Sequence, residues 1–237
     1  MIDPVYKDSF VTLYHADCLQ LLPILQADIC ITDPPYNISH EKGIKGLKGH
    51  KDQTASMGEW DKGWNPQPFI SSLQHMPIVC FTSHRLFGSM YELLMKRYLQ
   101  AEFAVWHKTN PAPSVRQSSY LSTCELLLLG GKTVVNWGGG TADSKKQQEM
   151  HNHFEGPTCM GLERTDHPTQ KPLWLMSRLV EVHSKAGQTI LDPYCGTGTT
   201  LLAARELQRK AIGIEQDEKW VAVAIERLST GQKMRMF

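Results

Sequence analysis

Thr189-Ile190-Leu191-Asp192-Pro193-Tyr194-Cys195-Gly196-Thr197-Gly198-Thr199-Thr200 is the stretch that decides the fold. Residues 189–191 form a short apolar run that reads as a buried strand ending at an acid. Past the two glycines, Leu201, Leu202, Ala203, Ala204 and Leu207 mark a helix. Ala211-Ile212-Gly213-Ile214 is then a second strand, closed by Glu215. The whole is a βαβ unit with glycines in its first turn and an acid about twenty residues on, where ribose hydroxyls would be held. The glycines let backbone approach a ligand closely. A dinucleotide fingerprint would need a third glycine, where Leu201 stands. Asp192 also puts negative charge where a diphosphate would be unwelcome. A ligand carrying an amine, a sulfonium and a ribose fits better, and S-adenosylmethionine has all three. The bland alternative is a tight strand–helix turn with no ligand.

Working outward, a second acid-ended strand lies upstream. Ile29-Cys30-Ile31-Thr32 runs into Asp33-Pro34-Pro35-Tyr36. Proline holds its φ near one value and has no N–H, so this loop is stiff and rich in acceptors. A stiff set of acceptors beside an aromatic ring can grip an exocyclic amino group while the ring stacks on its base. Read alone, the same four residues are also an ordinary strand-ending turn.

The remaining chain alternates strands and helices. Phe10-Val11-Thr12-Leu13-Tyr14 predicts a first strand, followed by leucines at helical spacing until Pro23. Asp17 opens that segment and reads on its own as a helix cap. Residues 78–82 and 103–106 predict strands, with a helix over 86–99 between them. Residues 125–129 and 133–135 predict a strand pair turning at Gly130-Gly131. Pro172 suits the first turn of a helix whose apolar face is Leu173, Met176, Leu179 and Val180.

Two stretches lack periodicity. Residues 38–65 are expected to be a flexible basic loop, in which Lys42, Lys45, Lys48 and Lys51 recur every third residue among glycines. Such a loop could track DNA phosphates or be merely solvated. Residues 138–166 are a candidate target-recognition segment or a plain long loop.

Length fits one domain, 1–237, able to bury a core without disulfides or metals. The net charge of +1 means that any basic surface must be local. Six scattered cysteines with no C-x-x-C pair favour reduced thiols in a cytoplasmic protein. His151, His153, Cys159 and His167 match no standard zinc spacing, so no metal is expected. Nothing reads as a signal peptide or a membrane span, so no membrane partner is expected.

These motifs resemble the amino-group DNA methyltransferases of the β arrangement, in which the catalytic motif precedes the glycine motif. The resemblance is carried by HPTQKP at 167–172, LDPYCGTGTT at 191–200, AIGIE at 211–215, DPPYN at 33–37 and WHKTNPAP at 106–113. It implies a Rossmann-like S-adenosylmethionine-dependent methyltransferase fold. In that α/β fold a mostly parallel sheet has helices on both faces and one antiparallel strand near an edge. It implies that Asp33, Pro34, Pro35 and Tyr36 form the catalytic motif. The cofactor would be held by Asp192, Tyr194, Gly196, Gly198, Thr199 and Thr200. Glu215 would take its ribose, Asp17 its adenine, and Thr169, Gln170 and Lys171 its amino-acid end. Lys108 is expected at the DNA together with the basic loop.

The chemistry expected is methylation of adenine N6 on a base flipped out of double-stranded DNA. Tyr36 would stack on the base, and Asp33 and the Pro34 carbonyl would each accept one amino N–H. No metal is required, since the sulfonium is already activated. Cytosine N4 is the alternative within the class, where Ser more often stands in place of Asp33. RNA or protein-amide methylation, and a non-catalytic binding module, are the alternatives outside it. A homodimer, a bacterial or phage setting and a partner restriction enzyme are expectations by analogy.

Overall fold

The computed structural model describes residues 2–38, 61–112, 120–133 and 150–230. Among these, nine strands make one sheet: β1 (Tyr6–Lys7), β2 (Val11–His15), β3 (Ile29–Thr32), β4 (Ile78–Thr82), β5 (Ala101–Lys108), β6 (Cys124–Gly130), β7 (His153–Gly156), β8 (Thr189–Asp192) and β9 (Lys210–Glu215). The helices are α1 (Cys18–Leu21), α2 (Pro66–Ser72), α3 (Phe87–Tyr98), α4 (Leu173–His183), α5 (Thr199–Glu206) and α6 (Glu218–Thr230). The strand order is β1-β2-β9-β8-β3-β4-β6-β5-β7.

The central strands are apolar throughout because both sheet faces are covered. Every residue of β3 and β4 is buried. Alternate residues serve opposite faces: Ile29, Ile31, Val79 and Phe81 pack with α4, α5 and α6, while Cys30, Ile78 and Cys80 pack with α1, α2 and α3. Each large apolar side chain so buried contributes about 1.5–3 kcal/mol.

The mostly parallel α/β sheet expected from the motifs is present, with two antiparallel strands rather than one. β1 runs antiparallel at one edge, and β6 runs antiparallel inside the sheet between β4 and β5. That placement corrects the expected strand pair at 125–135. Both hydrogen-bonding sides of β6 are already filled, Thr133 is not in a strand, and residues 134 and 135 lie outside the described residues. Pro172 stands at the N-cap of α4 rather than within its first turn, and the Glu163 carboxylate caps from outside by accepting the Leu173 N–H (2.5 Å). α1 is one turn long and ends before Pro23.

The chain leaves β3 toward β4 on one side and returns through β8 toward β9 on the other, so the strand order reverses between β3 and β8. A crevice forms outside the carboxyl ends of strands at such a switch point. The two acid-ended strands are these two neighbours.

Candidate active site

Thr32 and Asp192 close adjacent strands, and the Thr32 hydroxyl donates to Asp192 Oδ1 (2.7 Å). Asp192 also accepts the Tyr194 N–H (3.2 Å). Burial lifts its carboxyl to about 6, against the lowering pull of hydrogen bonds from Thr200 and Thr32. The turn beyond it is left-handed at Gly196 (φ +50°) and Gly198 (φ +78°), which is why glycine stands at both. Glu215 staples this turn: its carboxylate accepts N–H bonds from Gly196 (2.8 Å), Gln216 (2.9 Å) and Asp217 (2.8 Å). A carboxylate offers about four acceptor sites, so one is left for a ligand hydroxyl.

A cavity of about 960 Å³ opens over both acid-ended strands. Gly196, Tyr194, Thr199, Thr200, Asp192 and Glu215 line it, as do Asp17, Thr169, Gln170 and Lys171. Gly198 does not; a Cβ there would meet Ala224 of α6 at 3.3 Å, so its role is close helix packing. Asp17 faces the cavity and also caps α1 through Leu19 N–H (2.9 Å). Gln170 spends its amide on the 163–165 loop, accepting from Thr165 (N 2.9 Å, Oγ1 2.7 Å) and donating to the Glu163 carbonyl (2.8 Å). The charges are uneven: Asp17, Asp33, Asp61, Asp192, Glu215 and Asp217 against the single ammonium of Lys171. His167 adds no cation near neutrality, because burial and the Lys171 and Lys219 charges hold it down at about 4. Such a lining repels polyphosphate and suits a ligand with positive charge.

Asp33, Pro34, Pro35 and Tyr36 line the same cavity. Their loop is pinned from below by Asp61, a fully buried residue with no motif to mark it. Its carboxylate accepts the N–H groups of Tyr36 (2.6 Å), Asn37 (3.0 Å) and Ile38 (2.8 Å). Asn37 then takes a left-handed conformation (φ +54°) and pairs twice with the Trp64 backbone (2.7 and 2.8 Å).

The Asp33 carboxylate belongs to a charge cluster that sequence reading did not anticipate. Lys171 Nζ lies 2.5 Å from Asp33 Oδ2 and 3.2 Å from Glu125 Oε2. The Tyr36 hydroxyl donates to Asp33 Oδ1 (2.6 Å), with Glu125 Oε2 at 3.1 Å. Lys108 completes the group, 2.6 Å from Glu125 Oε1. Burial holds the Asp33 carboxyl above its ordinary range despite Lys171. Burial would raise Glu125 too, but the ammoniums of Lys171 and Lys108 outweigh it and pull it down. Two expectations change here. Lys171, expected at the cofactor's amino-acid end, directs its ammonium to Asp33. Lys108, expected at the DNA, turns inward to Glu125. Lys42, Lys45, Lys48 and Lys51 lie outside the described residues. The paper zinc set does not assemble either: Cys159 bonds the Gln170 carbonyl, His167 packs on Trp220, and His153 is on β7.

The Type II methyltransferase M2.LlaDCHI of Lactococcus lactis subsp. cremoris is 26% identical over 98% of this chain and 94% of its own. The solved M1.HpyAVI–SAM complex is 26% identical, covering 92% of this chain and 99% of its own, with a TM-score of 0.63. PvuII DNA methyltransferase, a cytosine-N4-specific enzyme, shares the fold at a TM-score of 0.70 and 16% identity, over 100% of this chain and 91% of its own. The N6/N4 methyltransferase family model, described as DNA methylase, matches residues 27–226, and the chain belongs to that family of amino-group DNA methyltransferases.

Proposed function

We propose that this protein transfers a methyl group from S-adenosylmethionine to adenine N6 of a flipped-out base at a specific site in double-stranded DNA. The observation that carries the reading is the single cavity holding both the Asp33 acceptor and the glycine turn with its Glu215 staple. The residues fit the cofactor: the acidic lining tolerates its ammonium and sulfonium, and Glu215 keeps an acceptor site for a ribose hydroxyl. When bound, S-adenosylmethionine supplies a methyl group already activated on sulfur.

The chain's own task is to prepare the amino nitrogen. Its lone pair is delocalised into the base, so it is a poor nucleophile. Asp33 and the Pro34 carbonyl each accept one amino N–H, which localises the lone pair and stabilises the positive charge growing on nitrogen. Asp61 fixes the loop so that these acceptors do not reorganise during transfer. Lys171 keeps Asp33 ionised in a buried place, and Glu125 with Lys108 leaves the cluster near neutral overall. Tyr36 lines the cavity as the stacking ring, oriented by its hydroxyl bond to Asp33.

Cytosine N4 is the second reading, since its amino group needs the same two acceptors. Adenine is preferred because an acid, rather than Ser, begins the motif. The basic loop at 38–65 and residues 138–166 serve as DNA contacts in this reading, and a homodimer is the expected assembly.

The test is methyl transfer from labelled S-adenosylmethionine to unmethylated genomic DNA, with the product digested to nucleosides and resolved by mass. N6-methyladenine is the expected product. N4-methylcytosine overturns the base assignment alone, and transfer to RNA but not DNA overturns the substrate.

A further inference from the structure

Far from the catalytic cavity in chemistry, though on the same sheet, three metal-ligating side chains converge where β7 joins β5. The two strands are parallel, with Val105 opposite His153 and His107 opposite Glu155. His153 and Glu155 are two residues apart on one strand, so they share a sheet face. His107 joins them on that face from β5. Its neighbours Trp106 and Lys108 point the other way, Trp106 toward Trp174 of α4 and Lys108 into the Glu125 cluster. The set is therefore separated by the sheet from the methyl-transfer machinery.

The geometry is close to that of a chelate. One ligand atom each from His107, His153 and Glu155 lies within 4.8 Å of the other two. His107 Nδ1 and Glu155 Oε1 are 3.6 Å apart, too far for a good hydrogen bond. The two imidazoles lie nearly parallel, with centroids 6.2 Å apart and planes 21° from each other. Tetrahedral zinc, with bonds of about 2.0–2.2 Å, needs its ligand atoms about 3.3–3.5 Å apart. The His107 and Glu155 side chains, 38% and 58% exposed, have room to rotate toward that spacing. An imidazolium–carboxylate pair would account for His107 and Glu155 but leaves His153 without a reason to be there. Two neutral imidazoles and a carboxylate are the donor set of borderline first-row metals, not of calcium or magnesium.

We propose that His107, His153 and Glu155 form a binding site for a divalent transition metal of the zinc class, which clamps the edge strand β7 to the sheet. β7 needs such a clamp more than any inner strand. It is four residues long, pairs on one side only among the described residues, and leads into the segment that carries Gln170 and Lys171 to the active site. Backbone bonds flank the set, from Val105 N–H to the Asn152 carbonyl (2.9 Å) and from Thr109 N–H to the Gly156 carbonyl (3.2 Å). A metal would tie the same two strands together through their side chains. The proposal does not rest on the methyl-transfer reading and stands or falls separately.

The test uses the full chain, freed of any affinity tag and stripped with a chelator, titrated with zinc chloride by calorimetry. The expected result is one zinc per chain. Affinity should fall more than about tenfold in His153→Ala, His107→Ala and the milder Glu155→Gln. His75→Asn, at an exposed site elsewhere, should bind as the parent does. Zinc should also slow hydrogen exchange at the Val105 and Thr109 amides in the parent and not in His153→Ala. Absence of binding up to roughly millimolar zinc, or binding that survives both histidine substitutions, overturns the site. Binding without slowed exchange overturns the clamp.

Discussion

Lys171→Met separates two roles for one lysine. By resemblance Lys171 contacts the cofactor's amino-acid end; in the structure its ammonium bridges Asp33 and Glu125 and is 6% exposed. Met keeps the length and apolar stem, which passes the rings of Tyr36 and Phe81 (Nζ 5.2 and 4.8 Å from their centroids). What goes is the buried charge between two half-buried carboxylates. Removing one partner from a buried ion pair costs about 3–5 kcal/mol. Asp33 can escape that cost by taking a proton, and burial already biases it that way. The sign then follows. In the proposed mechanism Asp33 acts as an ionised acceptor, so activity is lost as pH falls through its pKa, and the variant's acid limb moves to higher pH. About 3 kcal/mol less stabilisation of the ionised form moves the acid limb up by about two pH units. Rates should recover as pH is raised. The assay is single-turnover methyl transfer from pH 6 to 9.5, paired with calorimetric S-adenosylmethionine binding at neutral pH. An acid limb moved up by about two pH units, with rate recovered at high pH and near-parent cofactor affinity, supports the ion-pair role. Weakened cofactor binding with an unmoved acid limb would refute it and restore the cofactor role.

Asp61→Asn removes the charge from three N–H bonds that hold the 33–38 loop, each worth about 1.5–3 kcal/mol when made to a charged acceptor. Thermal unfolding should shift down and the transfer rate fall at least about tenfold, and an unchanged rate would remove Asp61 from the site. Glu215→Ala loses the ribose acceptor together with its staple on Gly196. S-adenosylmethionine affinity should fall about tenfold or more by calorimetry, and parent-like affinity would count against the ribose role. His183 is buried against the Thr133 carbonyl (Nδ1 to O, 3.0 Å), and burial holds it down at about 4. Its depressed pKa means the unfolded chain takes up the proton first, so stability declines as pH falls from about 6.5 toward 4, by up to about 1.4 kcal/mol per pH unit. Urea unfolding at pH 7 and 5 should show that loss, and His183→Gln should lessen it, with His167, also held down at about 4, accounting for a similar share.

The elements legible in the sequence were those whose signal is local. β3 and β4 are apolar on both faces and bounded by turn residues, so their limits, Ile29–Thr32 and Ile78–Thr82, could be read directly. β1, α2 and β7 carry no such mark. β1 has two residues, β7 alternates over only four, and α2 begins Pro66-Gln67-Pro68, where the helix signal is a cap on Asn65 that accepts the Gln67 N–H (3.0 Å). The strand pair expected at 125–135 failed for a different reason. Gly130-Gly131 does end a strand, but which strand lies beside β6 depends on β4 and β5, and register between distant segments is not written in local spacing.

The site divides along the same line. Acid-ended strands and glycine turns have a pattern because the backbone itself makes the pocket, so Asp33, Asp192, Gly196 and Glu215 could be found from residues alone. Glu125 and Asp61 could not, because each acts by side-chain reach across the fold. Glu125 meets Asp33 only because β6 runs antiparallel beside β4, which lies beside β3; reversed, the strand would present its other end to the cavity. Lys171 shows how far a motif match goes. The match implied a contact with the cofactor's amino-acid end; Lys171 lines the cavity, but its ammonium points to the carboxylates of Asp33 and Glu125. Burial alone would push the Asp33 carboxyl up; Lys171, shared with a Glu125 that Lys108 anchors, opposes that push, and this arrangement across three distant segments is not written in the four-residue motif.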